Sequence, residues 1–131
     1  MADLESLRLA EDFIAAWKPE LVPTARAFWE RCLERWPETE VVTQKSQVGL
    51  RDPRPYCALW PPLHGGIRRR PKDYLVLSLV LPERLASERV VEAVEPYPGR
   101  WTNHLLLTAP GDIDQELLTW VAEARRFRCK R

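Results

Sequence analysis

Histidine, cysteine, glycine and methionine are scarce in this chain of 131 residues, which holds 2, 3, 5 and 1 of them respectively. Two histidines, His64 and His104, are too few for a histidine-rich metal site, and no spacing of Asp or Glu around them suggests a mixed one. The cysteines, Cys32, Cys57 and Cys129, are odd in number, far apart and without CxxC spacing. That argues against a disulfide framework and against a zinc site. The few glycines build no GxxxxGK[ST], GxGxxG or GxSxG, and HExxH is absent too, so the commoner nucleotide-binding and hydrolytic signatures are missing. No cofactor and no metal is expected. Long apolar runs are also lacking, and none approaches the roughly 20 residues of a membrane helix. The start, MADLESLRLAEDF, is acidic where a secretion signal would be basic, so a cytoplasmic location and no membrane partner are expected.

What the chain does hold is a globular composition, with 45% hydrophobic and 30% charged residues. The length suits a single domain over 1–131 with a core at about 9–128. The net charge of +1 hides an asymmetry. Residues 1–40 carry nine acids and five bases, residues 41–131 ten acids and fifteen bases. Bases cluster at Arg68, Arg69, Arg70 and Lys72, and again at Arg125, Arg126, Arg128, Lys130 and Arg131. Such clusters suit nucleic acid, or simply a solvated loop and a helix end whose dipole favours cations. Cys32 and Cys57 read as small core hydrophobes and Cys129 as a surface thiol.

Periodicity predicts helices over 6–16, with Ser6 as cap and Leu9, Phe13 and Trp17 as stripe, and over 20–36, where Val22, Ala25, Trp29, Cys32, Leu33 and Trp36 recur. Lys18-Pro19 and Pro37 break them. Strands are predicted at Val41–Lys45 and Ser46–Leu50, as one bent strand or a pair, then at Tyr56–Trp60, Tyr74–Leu81 and Trp101–Thr108. A Gly- and Arg-rich loop is expected at His64–Pro71, a helical turn near 87–93 and a turn at Pro96–Gly99. Asp112, with Gln115 completing a capping box, is expected to start the final helix, whose stripe is Ile113, Leu117, Trp120, Val121 and Ala124. Trp17, Trp29, Trp36 and Trp120 are assigned to the core. The sum is α+β: an antiparallel sheet of about four or five strands, with two N-terminal helices and one C-terminal helix packed on one face.

Several blocks resemble a bacterial family of unknown function, the one numbered fifty-six fifty-five. They are Glu11-Asp12-Phe13, Lys18–Pro23, Gln44–Val48, Arg54–Ala58, Leu81-Pro82 with Ser87 and Arg89, Glu95–His104, and Asp114–Leu118 with Trp120. The resemblance spans about residues 9–124. It departs at Asn103, where members often carry a second histidine, and at Arg125, where they carry tyrosine, so it implies no histidine pair here. The resemblance implies no agreed activity. Similar domains also end longer bacterial proteins, some labelled transport proteins and some near nuclease-like regions.

The polar residues in these blocks include Lys45, Ser46, Arg89, Arg100 and His104. Converging, Lys45, Arg100 and His104 would give two fixed cations and one titratable donor, a site for phosphate, carboxylate or a nucleic-acid backbone. The alternative is that Arg100 pairs with a carboxylate such as Glu95 and that His104 is a hydrogen-bonded strand residue. Trp60, Trp101 and Tyr97 would either stack a ligand or pack the sheet. Asp112 and Asp114 are explained by capping. The leading expectation is therefore a binding module for an anionic small molecule or an acidic protein partner, with Lys45, Arg89, Arg100, Trp101 and His104 as ligand-binding residues. The alternatives are a nucleic-acid accessory protein using 68–72 and 125–131, and a small enzyme with His104 as general acid or base. Monomer and homodimer are both compatible.

Overall fold

The computed structural model describes residues 3–61 and 73–129, so the loop at His64–Pro71, the cluster Arg68–Lys72, Lys130 and Arg131 lie outside the described residues. The chain runs α1 (Leu4–Trp17), a 3-10 turn (Pro19–Leu21), α2 (Val22–Arg35), β1 (Glu40–Thr43), β2 (Val48–Arg51), β3 (Pro55–Trp60), β4 (Leu75–Leu81), β5 (Val90–Tyr97), β6 (Arg100–Leu107), a second 3-10 turn (Pro110–Asp112) and α3 (Gln115–Arg128). The fold is α+β. Among the described residues six strands, more than the four or five expected, form one antiparallel sheet in the order β1-β2-β3-β4-β6-β5.

Strand alternation splits this sheet into two unlike faces. Leu50, Leu59, Leu75, Leu77, Leu79, Leu81, Leu105 and Leu107 point to the side where Ile14, Leu21, Phe28, Trp29, Leu117 and Val121 of the helical layer complete the core. The opposite face carries Val42, Gly49, Ala58, Ser78 and His104, and no described helix covers it. Central strand β4 is apolar on both faces except for Ser78, and the described helices cover only one. In the core Thr39 is fully buried and its hydroxyl bonds the Tyr56 hydroxyl at 2.9 Å, while Tyr56 meets the Trp36 ring edge-on. Burial pushes the Tyr56 hydroxyl and the Cys32 and Cys57 thiols above their ordinary pKa values, so all three stay protonated at neutral pH.

Five local expectations are corrected. In α1 the buried positions are Ala10 and Ile14, with Leu7 beside them; Leu9 and Trp17 are exposed, so Trp17 is not core. The small Ala10 lets the helix pack closely, which sets the buried stripe one residue away from the bulkier Leu9. Asp3, not Ser6, caps α1 by accepting from the Ser6 N–H. The helical turn expected near 87–93 is only a single hydrogen-bonded turn at 87–90, closed by Val90 N–H on the Ser87 carbonyl; from Val90 the chain is β5, which carries irregularities at Val90/Glu92 and Val94/Tyr97. The β5–β6 turn is shorter than expected, because Pro96 and Tyr97 still belong to β5. Asp114, not Asp112, caps α3 by accepting from Leu117 N–H at 2.9 Å; Asp112 instead closes the preceding turn on Thr108 and Ala109.

Candidate functional site

The uncovered sheet face is organised by one cross-strand row. Val42 lies opposite Gly49, Gly49 opposite Ala58, Ala58 opposite Ser78, Ser78 opposite His104 and His104 opposite Glu92. Directly opposed side chains are the closest neighbours a sheet provides. Two small residues, Gly49 and Ala58, sit between larger ones and leave a depression of about 260 Å3. Val42 and Val80 wall it, Gln44 and Gln47 rim it, and Arg51 and Arg128 line it. The Gln47 amide donates to Gln44 Oε1 at 2.8 Å, which fixes the rim. Arg51 is tied to Glu40 at 3.1 Å and Arg128 donates to the Pro55 carbonyl at 3.2 Å.

On the other side of Ser78 the row becomes polar. Trp60 Nε1–H donates to Ser78 Oγ at 2.7 Å, and Ser78 Oγ lies 2.7 Å from His104 Nδ1. An indole can only donate, so the Ser78 oxygen accepts from Trp60, and the direction of its bond to His104 follows the imidazole tautomer. A neutral His104 accepting at Nδ1 carries its proton on Nε2, the atom 3.7 Å from Glu92 Oε1. The Trp60 ring meets the imidazole edge-on at 5.6 Å, and the His104 side chain is 16% exposed. With that tautomer the chain Trp60–Ser78–His104–Glu92 is polarised from indole to carboxylate.

The residues singled out in the sequence scatter. Lys45 is exposed on the β1–β2 turn at residues 44–47, at one end of the sheet. Arg100 starts β6 at the opposite end, so the fold does not bring Lys45 to Arg100 or His104. Lys45 and Ser46 lie in that turn and not in a strand, so no face alternation applies to them. Glu95 accepts from the Gly99 N–H. Arg89 spends its guanidinium within the fold, on Asp114 at 2.9 Å, Glu116 at 3.2 Å and the Asp112 carbonyl at 2.8 Å, with the Trp120 ring at 5.6 Å. The Leu117 N–H, then Arg89, hold the Asp114 carboxyl below its ordinary range. Trp101 pairs with Leu81 on the helix side, away from Trp60, so Trp60, Trp101 and Tyr97 share no single stacking surface. Asn103 also faces the helix side, where its side chain holds Leu85 N–H and the Glu83 carbonyl. Alternation puts positions 103 and 104 on opposite faces, so no histidine pair could form there within one site.

Sequence reasoning missed Trp60 as a donor and missed Glu92 altogether. One signal for the site was present: Ser78 is the lone polar residue of an otherwise apolar strand. Among the described residues no group of three or more His, Cys, Asp or Glu could hold a metal, and no helix is long and apolar enough to cross a membrane.

The family described as a domain of unknown function (DUF5655) matches residues 10–127, nearly all of the chain. No curated protein and no solved structure matches it.

Proposed function

The chain belongs to the DUF5655 family, and we propose that it is a binding module for a small organic anion seated on the uncovered sheet face. The observation that carries this reading is the depression at Gly49 and Ala58, with guanidinium groups lining it and the Ser78 hydroxyl in its wall. Its volume of about 260 Å3 falls just below the range of drug-sized ligand sites and suits a compact carboxylate with an apolar body. The apolar floor buries that body, and Arg51 and Arg128 supply charge-assisted donors. His104 holds the Ser78 hydroxyl in place, and Lys45 stands beside the glutamine rim as an accessory cation. Arg100 lies away from the depression. The nucleic-acid alternative draws less support: of the C-terminal cluster, Arg125 is spent on the Asp52 carboxylate and Arg128 faces the depression.

A full-chain titration by two-dimensional NMR with benzoate tests the reading. Benzoate is expected to shift the Gly49, Ala58 and Ser78 amides saturably, and uncharged benzamide is expected to do so far less. Gly49→Ala raises the floor by a methyl group without a clash, since an added Cβ meets nothing closer than 3.9 Å. It is expected to keep the fold and weaken the shifts. Equal response to benzoate and benzamide, or none to either, overturns the proposal.

A second reading, an enzyme with His104 as general base, is favoured by the polarity of the Ser78–His104–Glu92 chain. It would make Ser78 the nucleophile.

A further inference from the structure

A second, larger concavity lies on the helix side, where the end of α2, the β2–β3 turn, the end of β4 and the C-terminal part of α3 meet. Its volume is about 810 Å3, within the range of small-molecule sites. Trp36, Leu81, Leu85 and Phe127 give it apolar walls. Asp52 stands among them and is held in place by its neighbours. Its own N–H donates to the Arg54 carbonyl at 3.0 Å, which closes the turn. Arg125 donates from both Nε and Nη2 to one oxygen, Oδ2. The other oxygen, Oδ1, has no protein partner among the described residues, although the Asp52 side chain is only 16% exposed.

An ionised carboxylate oxygen only accepts, so Oδ1 calls for a donor on the ligand. Partial burial makes an unmade bond costly and a made one strong. The charges around it decide which donor fits. Arg125 is already spent on Oδ2, and its guanidinium lies over the Trp36 ring at 5.5 Å. The other charged residues along the groove are Glu83, Glu123 and Arg126. None of these three is in an ion pair among the described residues, so carboxylates outnumber guanidinium groups there. That balance attracts a cation and repels an anion. We propose that this groove binds a small organic cation, a primary ammonium on an apolar body, with the ammonium on Asp52 Oδ1. Leu81, Leu85 and Phe127 bury the apolar body, and Glu83 and Glu123 set the sign of the potential that draws it in. This site is separate from the sheet-face depression and selects the opposite charge.

The test is a titration of the full chain with phenethylamine and, in parallel, with phenethyl alcohol, followed by NMR. The amine is expected to shift the Trp36 indole N–H and the Leu85 and Ala122 amides saturably. The alcohol has the same apolar body and a neutral donor, and is expected to bind roughly fivefold or more weakly. Asp52→Asn keeps the shape, removes the charge and is expected to abolish the shifts. Glu83→Gln with Glu123→Gln changes two exposed side chains on which the fold does not depend. This double variant is expected to weaken the amine roughly two- to fivefold, and it decides the matter should Asp52→Asn fail to fold. Absence of shifts in the parent overturns the proposal. So do equal affinity for the alcohol, shifts at Gly49 and Ser78 instead, full affinity in a folded Asp52→Asn, or undiminished affinity in the double variant.

Discussion

Ser78 decides between binding and catalysis on the sheet face. Its hydroxyl has the partners a nucleophile needs: His104 to take its proton and Glu92 beyond to steady the imidazolium. It lacks what stabilises an attacked carbonyl. Both β4 and β6 have neighbours on each side, so the backbone N–H groups around Ser78 and His104 belong to the ladder and cannot turn toward a ligand. A missing oxyanion donor costs about 3–4 kcal/mol of barrier, a factor of a hundred or more in rate. Trp60 Nε1–H also draws on the Ser78 lone pairs and lowers its nucleophilicity. Incubation with a fluorophosphonate is therefore expected to leave the mass of the intact protein unchanged. An adduct on Ser78 that disappears in His104→Ala would instead establish the catalytic reading. The same comparison separates a hydroxyl that recognises a ligand from one that attacks it.

The hairpin β5–β6 is the element in which a single residue carries most risk. Tyr97 pairs with Arg100, which leaves Pro98 and Gly99 to turn the chain, and Gly99 adopts φ +74°. Proline presets the first turn position and glycine takes the left-handed second one. An added Cβ at Gly99 meets nothing within 4 Å, so Gly99→Ala is a pure test of backbone conformation. It is expected to cost about 1–2 kcal/mol in urea unfolding, with the sheet-face geometry retained. A neutral result would show that the turn relaxes into another type. The same hairpin shows where sequence reading stops. α2, α3, β3, β4 and β6 follow from periodicity and from prolines at their ends. β5 does not, because an edge strand buries no complete face and its irregularities break the alternation. The β1–β2 turn is hidden too: Gln44-Lys45-Ser46-Gln47 holds no Gly, Pro, Asn or Asp, and a backbone bond from Gln44 N–H to the Gln47 carbonyl closes it. Missing that turn placed Lys45 in a strand. The depression at Gly49 and Ala58 was equally unreadable, since it depends on which strands become neighbours.

At the scale of the whole molecule, ionisation limits stability from both sides of neutrality. Asp3, Asp112 and Asp114 all have lowered pKa values in the fold. For Asp3 the Ser6 N–H leads, and for Asp114 the Leu117 N–H. For Asp112 burial pushes upward and is outweighed by Thr108 and Ala109. A lowered carboxyl contributes stability that is present above its unfolded pKa, near 4, and lost as pH falls through the folded value. On the alkaline side the sign reverses. Burial raises the pKa of Cys32 and Cys57 in the folded chain, so above about pH 8.5 the unfolded chain releases thiol protons that the folded chain keeps. Stability then falls with rising pH, by about 1.4 kcal/mol per pH unit for each fully titrating thiol. Tyr56 joins in the same direction above about pH 10. Urea midpoints are therefore expected to be flat between about pH 5 and 8 and to fall at both pH 3 and pH 10. Cys57→Ala removes one of the two buried thiols and is expected to halve the alkaline slope below pH 10 while leaving the acid limb unchanged. Asp114→Asn keeps a capping side chain on α3, removes one of the three titrations and is expected to make the acid limb shallower, with Asp3 and Asp112 still titrating and the alkaline limb unchanged. If neither variant changes its limb, the pH dependence arises from other groups, and the buried thiols and the α3 cap play no part in it.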